Sequence, residues 1–234
     1  MFNGMKRPLP VSMRRYEIIG GVIWLLIYGF FMGDILTLIL GLLKISYTQA
    51  QLNALFFLTN FAVTALLFRR FLAYSLPVAA DNLLRVLRAM LVGFMVYWLL
   101  EVAIDLIGTL LSGQVSVPND DTVSAIAGEN YRVMWAGAVL LAPLTEETLV
   151  RGLVFGNLRK WNRAVGYGAA AAVFAAMHTL GYLGQMDAVT LCYNILVYGL
   201  PSVALCAAYE MAGTIWAPIG LHMIINAIGM SAMA

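Results

Sequence analysis

Three polar groups stand inside long apolar runs: Glu146-Glu147 with Arg151, Phe174 with His178, and His222 with Asn226. These are the chain's only two histidines. Ionisable groups within bilayer-crossing helices are costly, about 2.5–3.5 kcal/mol each for Asp, Lys or Arg at the centre, so they mark functional sites. On a helix Glu147 and Arg151 are i, i+4 and share a face, where they can pair. Glu146 points about 100° away around the same helix. The spacing therefore divides the two carboxylates, one neutralised by Arg151 and the other free for chemistry. Pro143, just before them, is expected to loosen the helix and let water in. The plainer alternative is a structural ion pair with a stray glutamate near an interface.

Phe174 and His178 are i, i+4, as are His222 and Asn226, so each pair projects from one helical face. A single intramembrane histidine is explained by a hydrogen bond between helices, but here both have polar company. An imidazole can accept a proton or hold a water near neutral pH. An amide beside a second imidazole offers donors to a developing oxyanion. No serine or cysteine is placed beside a histidine by spacing. Hydrolysis by an activated water fits better: a carboxylate and an imidazole position the water, while the second imidazole and the amide stabilise the tetrahedral intermediate. A zinc site of His178, His222 and Glu146, with an open position for water, stays possible. The helical zinc motif H-E-x-x-H is absent from the sequence.

The elements that must position these residues are membrane helices. The chain has 234 residues, 62% hydrophobic and 11% charged, about half the charged fraction of an ordinary soluble domain. Its mean hydropathy is +0.85. A net charge of +2 gives no reason to expect a nucleic-acid partner. The expected fold is all-α, a polytopic transmembrane bundle in one domain (residues 1–234) enclosing a polar intramembrane catalytic cavity. Seven spans are expected, at about 18–43, 52–73, 86–111, 132–157, 165–181, 188–208 and 214–232. Pro118 opens the longest polar connection, about 113–130.

Lys6, Arg7, Arg14 and Arg15 precede the first apolar run, which is too long for a signal-peptide core and reads as a retained span. With the N-terminus in the cytoplasm, 11 of the 14 basic residues fall on that side, and only Lys44 and Arg132 fall outside. The positive-inside rule thus favours N-in, C-out. Cys192 and Cys206 lie 14 residues apart in one predicted helix, too far along it to form a disulfide.

The ordered set E-E-x-x-x-R, F-x-x-x-H and H-x-x-x-N resembles the CAAX protease and bacteriocin-processing (Abi) family of intramembrane endopeptidases. It is carried here by Glu146, Glu147 and Arg151, by Phe174 and His178, and by His222 and Asn226. The likeness covers about residues 139–230, the family-like catalytic core, and the first three spans add little to it. It implies a cavity open to lipid and cytoplasm, with Glu146 and His178 activating water and His222 and Asn226 forming the oxyanion site. Members have been described as metalloproteases, and the arrangement is compatible with a metal-free reaction, which is the expectation here. Counting 1.5 Å per residue from the predicted span ends, Glu146 and His178 differ in depth by roughly 12 Å. Tilt, or a break at Pro143, has to close that gap.

The expected substrate is a membrane-associated protein or peptide, of CAAX type or a bacteriocin or signalling-peptide precursor, and the expected location is a bacterial plasma membrane. Two other classes compete: a non-catalytic immunity or scaffold protein, and a transporter using the same residues as a proton relay. Glu101 and Asp105, i, i+4 on the third span, and Asp34 are read as peripheral to the chemistry. Gly152 and Gly156 form a packing stripe beside the glutamates, and Tyr182 and Trp216 fit interfacial anchors. The sequence leaves oligomeric state open.

Overall fold

The apolar runs become helices whose ends are set by capping residues. Thr48 and Gln51 exchange side-chain and backbone bonds of 2.9 and 3.2 Å, a capping box that starts the second span. Asn162 accepts the Val165 N–H at 3.2 Å, and Asp187 accepts the Thr190 N–H at 2.7 Å. That bond holds the Asp187 carboxyl below its ordinary range. Gly213, at φ 77°, takes the left-handed conformation that ends the sixth span.

The structure, a computed structural model, describes residues 9–111 and 115–233. Lys6 and Arg7 of the basic run, and the first residues of the 113–130 connection, lie outside the described residues. The helices are α1 (Arg15–Leu26), α2 (Met32–Leu42), α3 (Gln49–Leu67), α4 (Arg69–Asp81), α5 (Leu83–Leu110) and α6 (Pro118–Trp135), followed by α7 (Ala142–Glu147), α8 (Gly156–Trp161), α9 (Arg163–Thr179), α10 (Ala188–Ala212) and α11 (Trp216–Ala232). Wider π-helical turns at Ile27–Phe31, Ala136–Leu141 and Thr148–Phe155 join neighbouring α-helical pieces, and a 3₁₀ segment, Leu180–Gln185, follows α9.

The architecture is a helical membrane bundle, without strands among the described residues. Among the described residues, six helices are long and apolar enough to cross a membrane: Arg15–Leu42, Gln49–Leu67, Leu83–Leu110, Pro118–Trp161, Arg163–Gln185 and Ala188–Ala212. The expected seventh span is α11, whose 17 residues reach about 25 Å. Exposed leucines and isoleucines such as Ile19, Leu38, Leu91 and Leu99 cover the outside of the first and third spans. In water such surface would be a liability; in lipid it is the solvent-facing side. Cys192 and Cys206 are both free thiols on α10.

Two expected boundaries are corrected. The run 52–73 is divided at Phe68, where the backbone leaves helical geometry between α3 and α4. The fully buried Glu17 of α1 takes the Phe71 N–H at 3.1 Å and lies 3.6 Å from Arg70, so an acid holds the start of α4. The polar connection at 113–130 is largely helical: Pro118 occupies the first turn of α6, with Asp120 and Asp121 beside it. Asn130 breaks that helix at φ −156°, ψ 87° and then accepts the Val133 N–H at 3.2 Å, restarting it.

Close helix contacts use glycine. A Cβ on Gly152 would come within 2.8 Å of Met13 and 3.1 Å of Phe71, so the Gly152 stripe packs against the N-terminal arm and α4. At Gly137 a Cβ would overlap the Phe57 ring of α3. Gly137→Ala is therefore expected to cost about 1–3 kcal/mol through overpacking, read as a lowered thermal midpoint of the purified protein in detergent.

Candidate active site

Pro143 has no N–H and cannot bond a carbonyl one turn back. The backbone before it widens into the π-helical turn Ala136–Leu141, and a second π segment follows Glu147. Such turns are frequent at functional sites. Between them lies α7, every residue of which is buried, carrying Glu146 and Glu147.

Glu147 is the neutralised carboxylate. Its Oε1 accepts from Arg151 Nη1 at 2.8 Å and faces His222 Nδ1 at 2.7 Å. Arg151 is fully buried. Its Nη2 donates to the Ser202 hydroxyl at 2.8 Å and to the Ser202 carbonyl at 3.3 Å. The Ser202 hydroxyl in turn donates to the Ala170 carbonyl at 3.3 Å. The guanidinium lies 4.6 Å from the centre of the Phe174 ring, a cation–π contact in a desolvated place.

Glu146 is directed elsewhere. Its Oε1 accepts the Tyr28 hydroxyl at 2.9 Å, and its Oε2 lies 3.9 Å from His222 Nε2. His222 thus stands between the two glutamates, with one ring nitrogen toward each.

His178 is fixed from three directions. Its Nδ1 lies 2.8 Å from the Phe174 carbonyl, a partner that can only accept, so this nitrogen carries the proton and Nε2 is the basic one. The Phe174 ring packs at 4.5 Å and the Tyr198 ring stacks at 4.5 Å and 18°. The Tyr198 hydroxyl donates to Asp120 at 2.7 Å. Asn226 Nδ2 donates to the Ala138 carbonyl at 2.8 Å, leaving its second N–H free of a protein partner among the described residues.

The structure brings Glu146, Glu147, Arg151 and His222 into direct contact. Phe174 connects His178 to this set, its ring 5.8 Å from His222 and 4.5 Å from His178, while the Asn226 side chain bonds to the Ala138 carbonyl and to none of these residues among the described residues. No hydrogen bond or ion pair joins Glu146 to His178 among the described residues. Glu101 and Asp105 lie on α5, outside this contact set. Asp34 lies in the first turn of α2, also apart. A cavity of about 650 Å³ opens beside the start of α3, lined by Thr48, Gln51, Glu129 and Asn130, and does not touch the cluster.

Residues that sequence spacing did not single out are Tyr28, Tyr198 and Ser202. Tyr28 lies on the first span, outside the family-like core, and supplies a donor to Glu146. Its one signal was a phenol inside an apolar run. Ser202 follows Pro201, a proline within α10, which hints at a disturbed carbonyl ladder there. Among the described residues no three His, Cys, Asp or Glu side chains are grouped to hold a metal ion.

Residues 128–228 match the family model described as "Type II CAAX prenyl endopeptidase Rce1-like". This is the resemblance that the three motifs carry, to the CAAX protease and bacteriocin-processing family. No curated protein and no solved structure gives a significant match.

Proposed function

We propose that the protein is an intramembrane endopeptidase that hydrolyses a peptide bond in a membrane-associated protein or peptide, using a water activated by Glu146 and His178. The observation that carries this reading is the division of labour in the buried cluster. Arg151 and His222 occupy Glu147, while Glu146 keeps Oε2 free of any hydrogen bond within 3.5 Å among the described residues. The Rce1-like match over residues 128–228 supports the same class of chemistry.

In this mechanism Glu146 Oε2 and His178 Nε2 are the available bases. One of them takes a proton as the water oxygen attacks the substrate carbonyl carbon. The second N–H of Asn226 donates to the oxyanion that forms, joined by His222 Nε2 when that nitrogen carries a proton. The abstracted proton then passes to the leaving amine as the C–N bond breaks. Glu147 and Arg151 touch no reacting atom; they hold the His222 ring in place.

The basic end of the bundle faces the cytoplasm in this reading. Arg159 and Arg163 both pair with Glu210, at 2.6 and 2.7 Å, and Arg85 donates to the neighbouring Met211 carbonyl at 2.7 Å. Charge therefore collects at the end of α10, as the positive-inside rule requires of a cytoplasmic surface. CAAX-type proteins and peptide precursors of the bacteriocin or signalling kind are the substrate classes to try.

The test is cleavage of a library of lipidated and leader-type peptides by the purified protein, beside Glu146→Ala, each with and without a chelator. The expected result is cleavage by wild type, resistant to chelator and lost in Glu146→Ala. Loss with chelator and recovery with zinc would replace this mechanism with a metal-dependent one. If wild type cleaves nothing, and alanine at Glu146, His178 and His222 together preserves the cellular phenotype, the scaffold reading stands instead.

A further inference from the structure

The first span lies outside the residues matched by the family model, yet it supplies the one hydrogen-bond donor to Glu146 among the described residues. Tyr28 sits in the π-helical turn Ile27–Phe31, where the first span widens. Its ring packs on Phe56 of α3 at 5.6 Å. Its hydroxyl reaches Glu146 Oε1 at 2.9 Å, across 118 residues of chain. The same turn lies against the helix of the second base, since a Cβ on Gly29 would rest 3.6 Å from Met177, the neighbour of His178.

A carboxylate able to act as a base has two oxygens and must present one to the water. No other group of the cluster orients Glu146: Arg151 and His222 Nδ1 are committed to Glu147, and His222 Nε2 at 3.9 Å is beyond hydrogen-bond distance. The phenol fixes Oε1, which turns Oε2 to the His222 side. We propose that Tyr28 is a positioning residue of the reaction: it holds the Glu146 carboxylate with one oxygen engaged and the other presented, so the active site is built from the first span as well as the family-like core. This rests on the hydrolase reading above.

Tyr28→Phe keeps the ring on Phe56 and removes only the hydroxyl. A hydrogen bond to a charged group contributes enough that kcat is expected to fall about 10- to 100-fold. KM should be unchanged, because the bond acts on the reacting carboxylate and not on substrate affinity, and any fall in thermal midpoint should leave the protein folded at the assay temperature. A second readout does not depend on activity. The carboxylate stretching band of Glu146, identified in infrared difference spectra as the band lost in Glu146→Gln, should shift in Tyr28→Phe. An unmoved band, or wild-type kcat in Tyr28→Phe, overturns the proposal. A fall in thermal midpoint that accounts for the lost activity overturns it too, in favour of packing alone. If the band shifts but wild type hydrolyses no peptide, it is the hydrolase reading that has failed, and Tyr28's part in a reaction falls with it while the bond itself stands.

Discussion

Arg151→Met is expected to destabilise the protein by about 3–5 kcal/mol, the range seen when one partner of a buried ion pair is removed. Both side chains are fully buried, and the pair is 2.8 Å apart. Methionine fills much of the same volume but leaves the Glu147 carboxylate without its guanidinium. It also removes the donor to Ser202 on α10, loosening a tie between two spans. Glu147 Oε2 already lacks a partner among the described residues, so His222 Nδ1 on Oε1 is the partner left to the carboxylate. The thermal midpoint in detergent checks this. Combining Glu147→Gln with Arg151→Met should recover a substantial part of the loss, because the uncompensated charge goes with the carboxylate. A single variant that unfolds at the wild-type temperature would show that the pair contributes no net stability.

Asn226→Ala is expected to lower kcat about 10²- to 10³-fold with KM little changed, the usual cost of one oxyanion donor. The geometry behind this begins at Pro143. Its missing N–H leaves carbonyls one turn back without their helical donor, and the Ala138 carbonyl, five residues earlier, accepts from Asn226 at 2.8 Å. One amide hydrogen is thereby spent on orientation and the other is directed by it. Asn226→Asp, which keeps the shape and loses both donors, should be at least as impaired. Steady-state kinetics on any peptide found to be cleaved decide the matter: a raised KM at constant kcat would make Asn226 a binding residue instead.

Much of this was legible from spacing where the geometry is local. Glu147 and Arg151 pair across one helical turn, and a rule about i, i+4 neighbours is enough to foresee it. The likeness of residues 128–228 to a known family was legible for the same reason, since its motifs are short runs on single helices. What reaches across the bundle was not. Tyr28 and Glu146 are separated by 118 residues, and no periodicity relates them. The depth count of 1.5 Å per residue assumes straight α-helices, whereas π-helical turns flank α7 on both sides and put more residues into each turn. The segment from Pro118 read as a connection because it is polar, although a proline and two aspartates at its start are themselves a helix-opening signal.

The glycine seats at Gly137 and Gly152 carry a consequence for modularity. Phe57 fills one, and Met13 and Phe71 fill the other, so the helix bearing the glutamates is moulded around side chains that precede the family-like region. A chimera that grafts residues 128–228 onto another protein's leading spans would inherit the motifs but not their mould. Exchange between relatives of this kind should therefore succeed only when the leading spans travel with the core, and the two halves of the chain are bound to evolve as one piece.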